Sequence, residues 1–127
     1  MIEPHVDTIQ IDVITRYLGE QSNPAENRFA FAYTITIRNL GSVAAQLIDR
    51  HWIITDGNGK VQEVRGEGVV GEQPLLRPGA SHTYTSGCLL ETPVGSMQGS
   101  FGMHSEAGDR FRAPVRVFRL AKPNTLH

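Results

Sequence analysis

A chain of 127 residues, 39% hydrophobic and 20% charged, is long enough for one core, too short for two ordinary enzyme domains, and too apolar to be disordered throughout. With 12 Lys+Arg against 13 Asp+Glu the formal charge is -1, which excludes the basic surplus of a nucleic-acid or anionic-membrane binder. The longest apolar run, Phe29 to Tyr33, is far short of a membrane span or signal core, and the lone Cys88 can neither close an internal disulfide nor anchor a Cys-rich zinc site, so a cytoplasmic protein is expected.

The first predicted element is a half-buried strand from Val6 to Tyr17, where Ile9, Ile11, Val13, Thr15 and Tyr17 alternate with mostly polar residues. A wet loop with Gly19, Asn23 and Pro24 leads to the clearest strand, Phe29 to Asn39, with Phe29, Phe31, Tyr33, Ile35 and Ile37 on one face. Gln46 to Thr55 follows, with Ile48, Trp52 and Ile54 assigned to one side and Leu47, Asp49, His51, Ile53 and Thr55 to the other. Asp56-Gly57-Asn58-Gly59 is a hairpin turn signal, because Gly and Asn accept positive φ, and it predicts a return strand over Lys60 to Arg65. After a glycine-rich stretch and a turn at Pro78-Gly79, His82 to Leu90 reads as a strand with Tyr84, Cys88 and Leu90 on one face. Met97 to His104 and Arg110 to Leu120 complete the set.

No window of helical length carries apolar residues at three-four spacing free of Gly or Pro. The fold class is therefore all-β: a two-sheet antiparallel sandwich, fibronectin type III-like, of about seven strands. One domain spans residues 1–127, with an ordered core over about 6–120. The core is expected to include Ile11, Val13, Phe29, Phe31, Tyr33, Ile35, Trp52, Ile54, Tyr84, Phe101 and Val117.

Gly66-Glu67-Gly68-Val69-Val70-Gly71 has the G-x-G-x-x-G spacing of pyrophosphate sites. That chemistry needs a helix starting at the glycines with its free N–H groups aimed at the phosphate, and Pro74 and Pro78 forbid one here. Two readings stay open: a turn whose glycines supply unusual backbone angles, or an anion nest of exposed N–H groups beside Arg65. Val69 and Val70 are expected either as contact residues at the loop tip or as a plug over the end of the core. Asp49 and His51 share an outer face and are weak metal candidates, with no spacing that forces a third ligand to converge. They lack a nucleophile elbow and an oxyanion donor, so no catalytic residue is assigned and no cofactor is expected. Cys88 reads as a buried inert thiol. Arg110, Arg112 and Arg116 share strand parity, and without interleaved aromatics they read as solvated charges protecting an edge.

The stretches HWIITDGNGKVQEVRGEGVVGEQPLLRPG, YTSGCLLETPVGSMQGSFGM and FRAPVRVFRL closely resemble the ApaG family of small bacterial proteins, over nearly the whole chain from Val6 to Leu120. The resemblance implies a fibronectin III-like fold and no established activity. It also implies a link to dinucleotide polyphosphate metabolism and to cobalt and magnesium handling, and, from the family's occurrence beside F-box motifs, a partner-binding module. The family's glycine motif, discussed as a nucleotide or pyrophosphate site, maps onto Gly66, Gly68 and Gly71. The expected function is thus a non-catalytic interaction module that binds a protein partner through Arg65, Gly66, Gly68, Val69, Val70 and Gly71. The alternative is a module for pyrophosphate-type anions or a divalent cation. Nucleic acid and membrane are not expected as partners, and a homodimer stays open.

Overall fold

The computed structural model describes residues 8–124. Among the described residues eight strands run in chain order: β1 Ile9–Tyr17, β2 Phe29–Asn39, β3 Ala45–Asp56, β4 Val61–Glu67, β5 Leu75–Leu76, β6 Ser81–Leu90, β7 Val94–Ser105 and β8 Arg110–Ala121. The loop between β1 and β2 holds two single turns of 3₁₀ helix, Gly19–Gln21 and Pro24–Glu26. The start of the first expected strand, residues 6 and 7, lies outside the described residues. The two-residue β5 escapes the sequence reading because it is too short to show a period.

All pairings are antiparallel and build two sheets, one ordered β1-β2-β6 and the other β4-β3-β7-β8 with β5 on the end of β3. Packed face to face, they form a sandwich. Inward residues of β2 (Phe29, Phe31, Tyr33, Ile35, Ile37) meet Leu47, Trp52, Ile54, Met97, Phe101, Met103, Phe111, Ala113, Val115 and Leu120 from the other sheet. Trp52 stands at the centre, edge-on to Tyr33, Phe101 and Phe118 at centroid distances of 5.7, 5.7 and 6.0 Å. Such edge-to-face contacts match the positive ring edge to the negative ring face.

Two bulges change which residues reach this core. Along β3, Leu47 faces Met103 and Asp49 faces Gly102, so Ile48 is an extra residue. Alternation slips by one there, and Leu47, expected outside, is fully buried with Trp52 and Ile54. Along β8, Phe118 faces Met97 and Val115 faces Gly99, three steps against two. The inward series Phe111, Ala113, Val115 therefore resumes at Phe118 and Leu120. Val117, expected in the core, is 62% exposed. Ile11 and Val13 pack against the core only partly buried.

Candidate functional site

The Ile48 bulge sits under the glycine motif and holds it. With the backbone kinked outward, the Ile48 carbonyl accepts from Gly68 N–H at 2.8 Å and from Gln73 Nε2 at 2.9 Å. Leu47 N–H reaches the Pro74 carbonyl at 3.0 Å, and Gln46 Nε2 the Gln73 carbonyl at 3.0 Å. β4 continues through Gly66 and Glu67, and the chain then reverses in a tight hairpin in which Val69 and Glu72 exchange both backbone bonds, at 2.8 and 3.1 Å. The two central residues, Val70 and Gly71, have φ of 48° and 78°, the positive angles of a type I′ turn. Gly71 takes this angle freely, whereas Val70 is β-branched and strained in it.

Each glycine answers a different constraint. Gly68 combines a φ of 63° with a backbone so close that a Cβ would overlap the Glu72 carbonyl oxygen. Gly66 has no such angle; a Cβ there would lie 2.7 Å from the Arg50 guanidinium, which lies against it. From that position Arg50 Nη1 donates to the carbonyls of Glu67 at 2.9 Å and Gly68 at 3.0 Å. Arg50 is the site residue that sequence reasoning missed. Its signal was a charged side chain at the same strand parity as Trp52 and Ile54.

The neighbouring valines part company. Val69 is fully buried and belongs to the core, while Val70 is 64% exposed at the tip. The base of the hairpin also reaches the opposite sheet: Glu72 Oε2 lies 3.5 Å from Nε2 of His82 on β6, without hydrogen-bond geometry, and the His82 ring stacks on Tyr84.

Of the residues singled out in the sequence, Gly66, Gly68, Val69, Val70 and Gly71 thus form one structure. Arg65 does not join them. It lies on the outer face of the larger sheet with its Nη2 2.9 Å from Glu63 Oε1, which also bonds His51 Nε2 at 2.9 Å. Those two partners, His51 first, hold the Glu63 carboxyl below its usual range. Asp49 turns instead to Arg112, whose Nη2 donates to Oδ1 at 2.7 Å while its Nε donates to Ser100 Oγ at 2.8 Å. Asp49 and His51 therefore share a face but not a partner. Among the described residues no group of three or more His, Cys, Asp or Glu is placed to hold a metal ion. Arg112 is locked into that network rather than free in a basic stripe with Arg110 and Arg116. Cys88 is half-buried, and burial pushes its thiol up to about 11.

The sequence profile of the ApaG domain matches residues 19–105. Protein ApaG of Pseudomonas paraeruginosa is 64% identical over 119 residues, covering 94% of each chain, and Protein ApaG of Pseudomonas syringae pv. tomato is 60% identical over the same span. A crystal structure of an ApaA protein from Bordetella pertussis shares 53% identity and superposes with a TM-score of 0.89 over 92% of this chain and 95% of that one. A protein from Archaeoglobus fulgidus, at 13% identity and a TM-score of 0.50, shares the fold alone. No described helix is long and apolar enough to cross a membrane.

Proposed function

The chain belongs to the ApaG domain family, and from that premise we propose that it is a non-catalytic interaction module, a sandwich of the fibronectin III kind that offers the Gly66–Glu72 hairpin to a protein partner. The observation that carries this reading is Val70, a β-branched side chain 64% exposed and held at a φ of 48°. Left-handed backbone costs an L-residue about 1–2 kcal/mol, and a strained, exposed apolar side chain on a rigid base has the character of a contact residue. The base is rigid because Val69 is rooted in the core and Arg50 clamps two carbonyls. The hairpin is read as a contact surface rather than an anion nest because the N–H groups of Val69 and Glu72 are bonded to each other's carbonyls and that of Gly68 to the Ile48 carbonyl of β3. Asp49 and His51, the nearest approach to an acid–base pair, are bound to Arg112 and Glu63, and the hydroxyl of Ser100, which faces His51 across the strands, accepts from Arg112.

Quantitative affinity capture with the wild type, Val70→Asn and Val70→Gly tests the reading. Both variants are expected to fold and to lose the same captured partner. Capture unchanged in both would refute it, as would pyrophosphate or cobalt shifting the amide signals of Gly66, Gly68 and Gly71 while capture is absent.

A further inference from the structure

The four outermost strands of the two sheets are β1, β6, β4 and β8, and three of them carry what keeps a free edge from pairing. β1 has Asp12 and Arg16; β4 has Glu63, Arg65 and Glu67; β8 has Pro114 and a series of arginines. β6, SHTYTSGCLL, pairs with β2 alone and has no Asp, Glu, Lys, Arg or Pro in ten residues. It is a long, uncharged edge.

A second feature of β6 has no explanation inside the fold. Gly87 stands in the strand interior, where glycine weakens a strand. Its φ is not in the left-handed range, and a Cβ there would meet only the Phe31 carbonyl oxygen at an ordinary 3.5 Å. The folded chain would accept any small side chain at this position. Interior glycines without a local cause mark places where another backbone or a bulky cross-strand residue comes close.

Gly87 lines a groove of about 780 Å³ that runs between the β6 edge and β4, with Val64 and Cys88 on its apolar walls and Arg28 among its lining residues. Leu89 projects beside it, 60% exposed. Arg28 is exposed and makes no ion pair among the described residues.

The geometry points to β6 as a strand-addition site for an extended peptide segment of another protein, with apolar side chains at alternate positions and a carboxylate that meets Arg28. Main-chain bonds to the open edge supply affinity, and alternate side chains supply selectivity. Inward side chains of the added strand meet Val64 and Cys88, and an outward bulky one covers Gly87. Arg28, the one cation among the residues lining the groove, sets the sign of the charge it accepts. This site is separate from the hairpin and does not depend on its role.

The test is selection from a random decapeptide display library on the full chain, with Leu89→Lys as the counter-selected protein. Enriched peptides are expected to alternate apolar residues, to carry Asp or Glu, and to shift the amide signals of β6. Lysine at position 89 is expected to weaken them about tenfold or more, as a charge on an edge strand does. Arg28→Glu should weaken the acidic peptides to a similar degree and admit lysine-bearing ones. Gly87→Val should keep or raise the melting temperature while abolishing binding, which separates occlusion of the site from misfolding. No enrichment over Leu89→Lys would overturn the proposal, and so would peptides that shift the hairpin amides instead of β6. Sedimentation showing β6 occupied by a second copy of the chain, with peptides unable to compete, would overturn it as well.

Discussion

Substituting the two adjacent valines separately should change stability in opposite directions. Val69→Ala removes two buried carbons, about 0.8 kcal/mol each, and leaves a small cavity that the end of the sandwich closes only in part. The expected loss is about 1.5–2.5 kcal/mol. Val70→Gly removes almost no packing, because the side chain is 64% exposed, and relieves about 1–2 kcal/mol of left-handed strain. Against that gain stands about 0.4–1 kcal/mol from the freer unfolded chain, so a net stabilisation of up to roughly 1.5 kcal/mol is expected. Urea unfolding followed by the fluorescence of Trp52, the only tryptophan, measures both. Slopes should match the wild type, with midpoints moving apart, and melting temperatures should shift by about 3–5 °C per kcal/mol for a domain this size. Equal destabilisation by both changes would refute the left-handed tip, and a cost below about 0.5 kcal/mol at Val69 would refute its place in the core.

The two positive-φ glycines of the hairpin should rank by crowding. Gly71→Ala, with open space around it, is expected to cost about 1–2 kcal/mol, the price of the angle alone, whereas Gly68→Ala must also displace the Glu72 carbonyl and should cost more and broaden the amide signals of the hairpin. At the β8 bulge, Val117→Lys should leave stability within about 0.5 kcal/mol, while Phe118→Ala, which removes a ring packed on Trp52 and Tyr33, should cost several times as much; the reverse order in thermal melts would place the bulge elsewhere. Cys88, with its thiol pushed up to about 11, should react with iodoacetamide at pH 8 on the order of a hundredfold more slowly than a free thiol, since the thiolate is the nucleophile, and should recover the free rate on unfolding; fast alkylation of the native protein would show the thiol open to solvent.

Most of the sandwich was legible in the sequence because its causes are local. Period-two alternation in Phe29 to Ile37 follows from side chains pointing to opposite faces of a strand, and Asp56-Gly57-Asn58-Gly59 supplies the backbone angles that a hairpin demands. Gly66 to Gly71 could be picked out as a loop by composition, and the prolines after it excluded a phosphate-binding helix. What each residue of that loop does was not legible. Whether a valine plugs a core or stands in solvent depends on where the next sheet lies, and the hairpin answers differently for Val69 and Val70. The two bulges show the same limit. An extra residue at Ile48, or in β8 just after Val115, has no local signature, because it is created by the register a strand adopts against its neighbour. One slip buries Leu47 and frees the carbonyl that anchors the hairpin, and the other turns Val117 out to water. Arg50 became a clamp only when pairing with β4 placed Gly66 beside it, whereas Arg65 meets Glu63 two residues back on its own strand. Alternation along a strand is a property of the chain, but the phase of that alternation belongs to the assembled sheet.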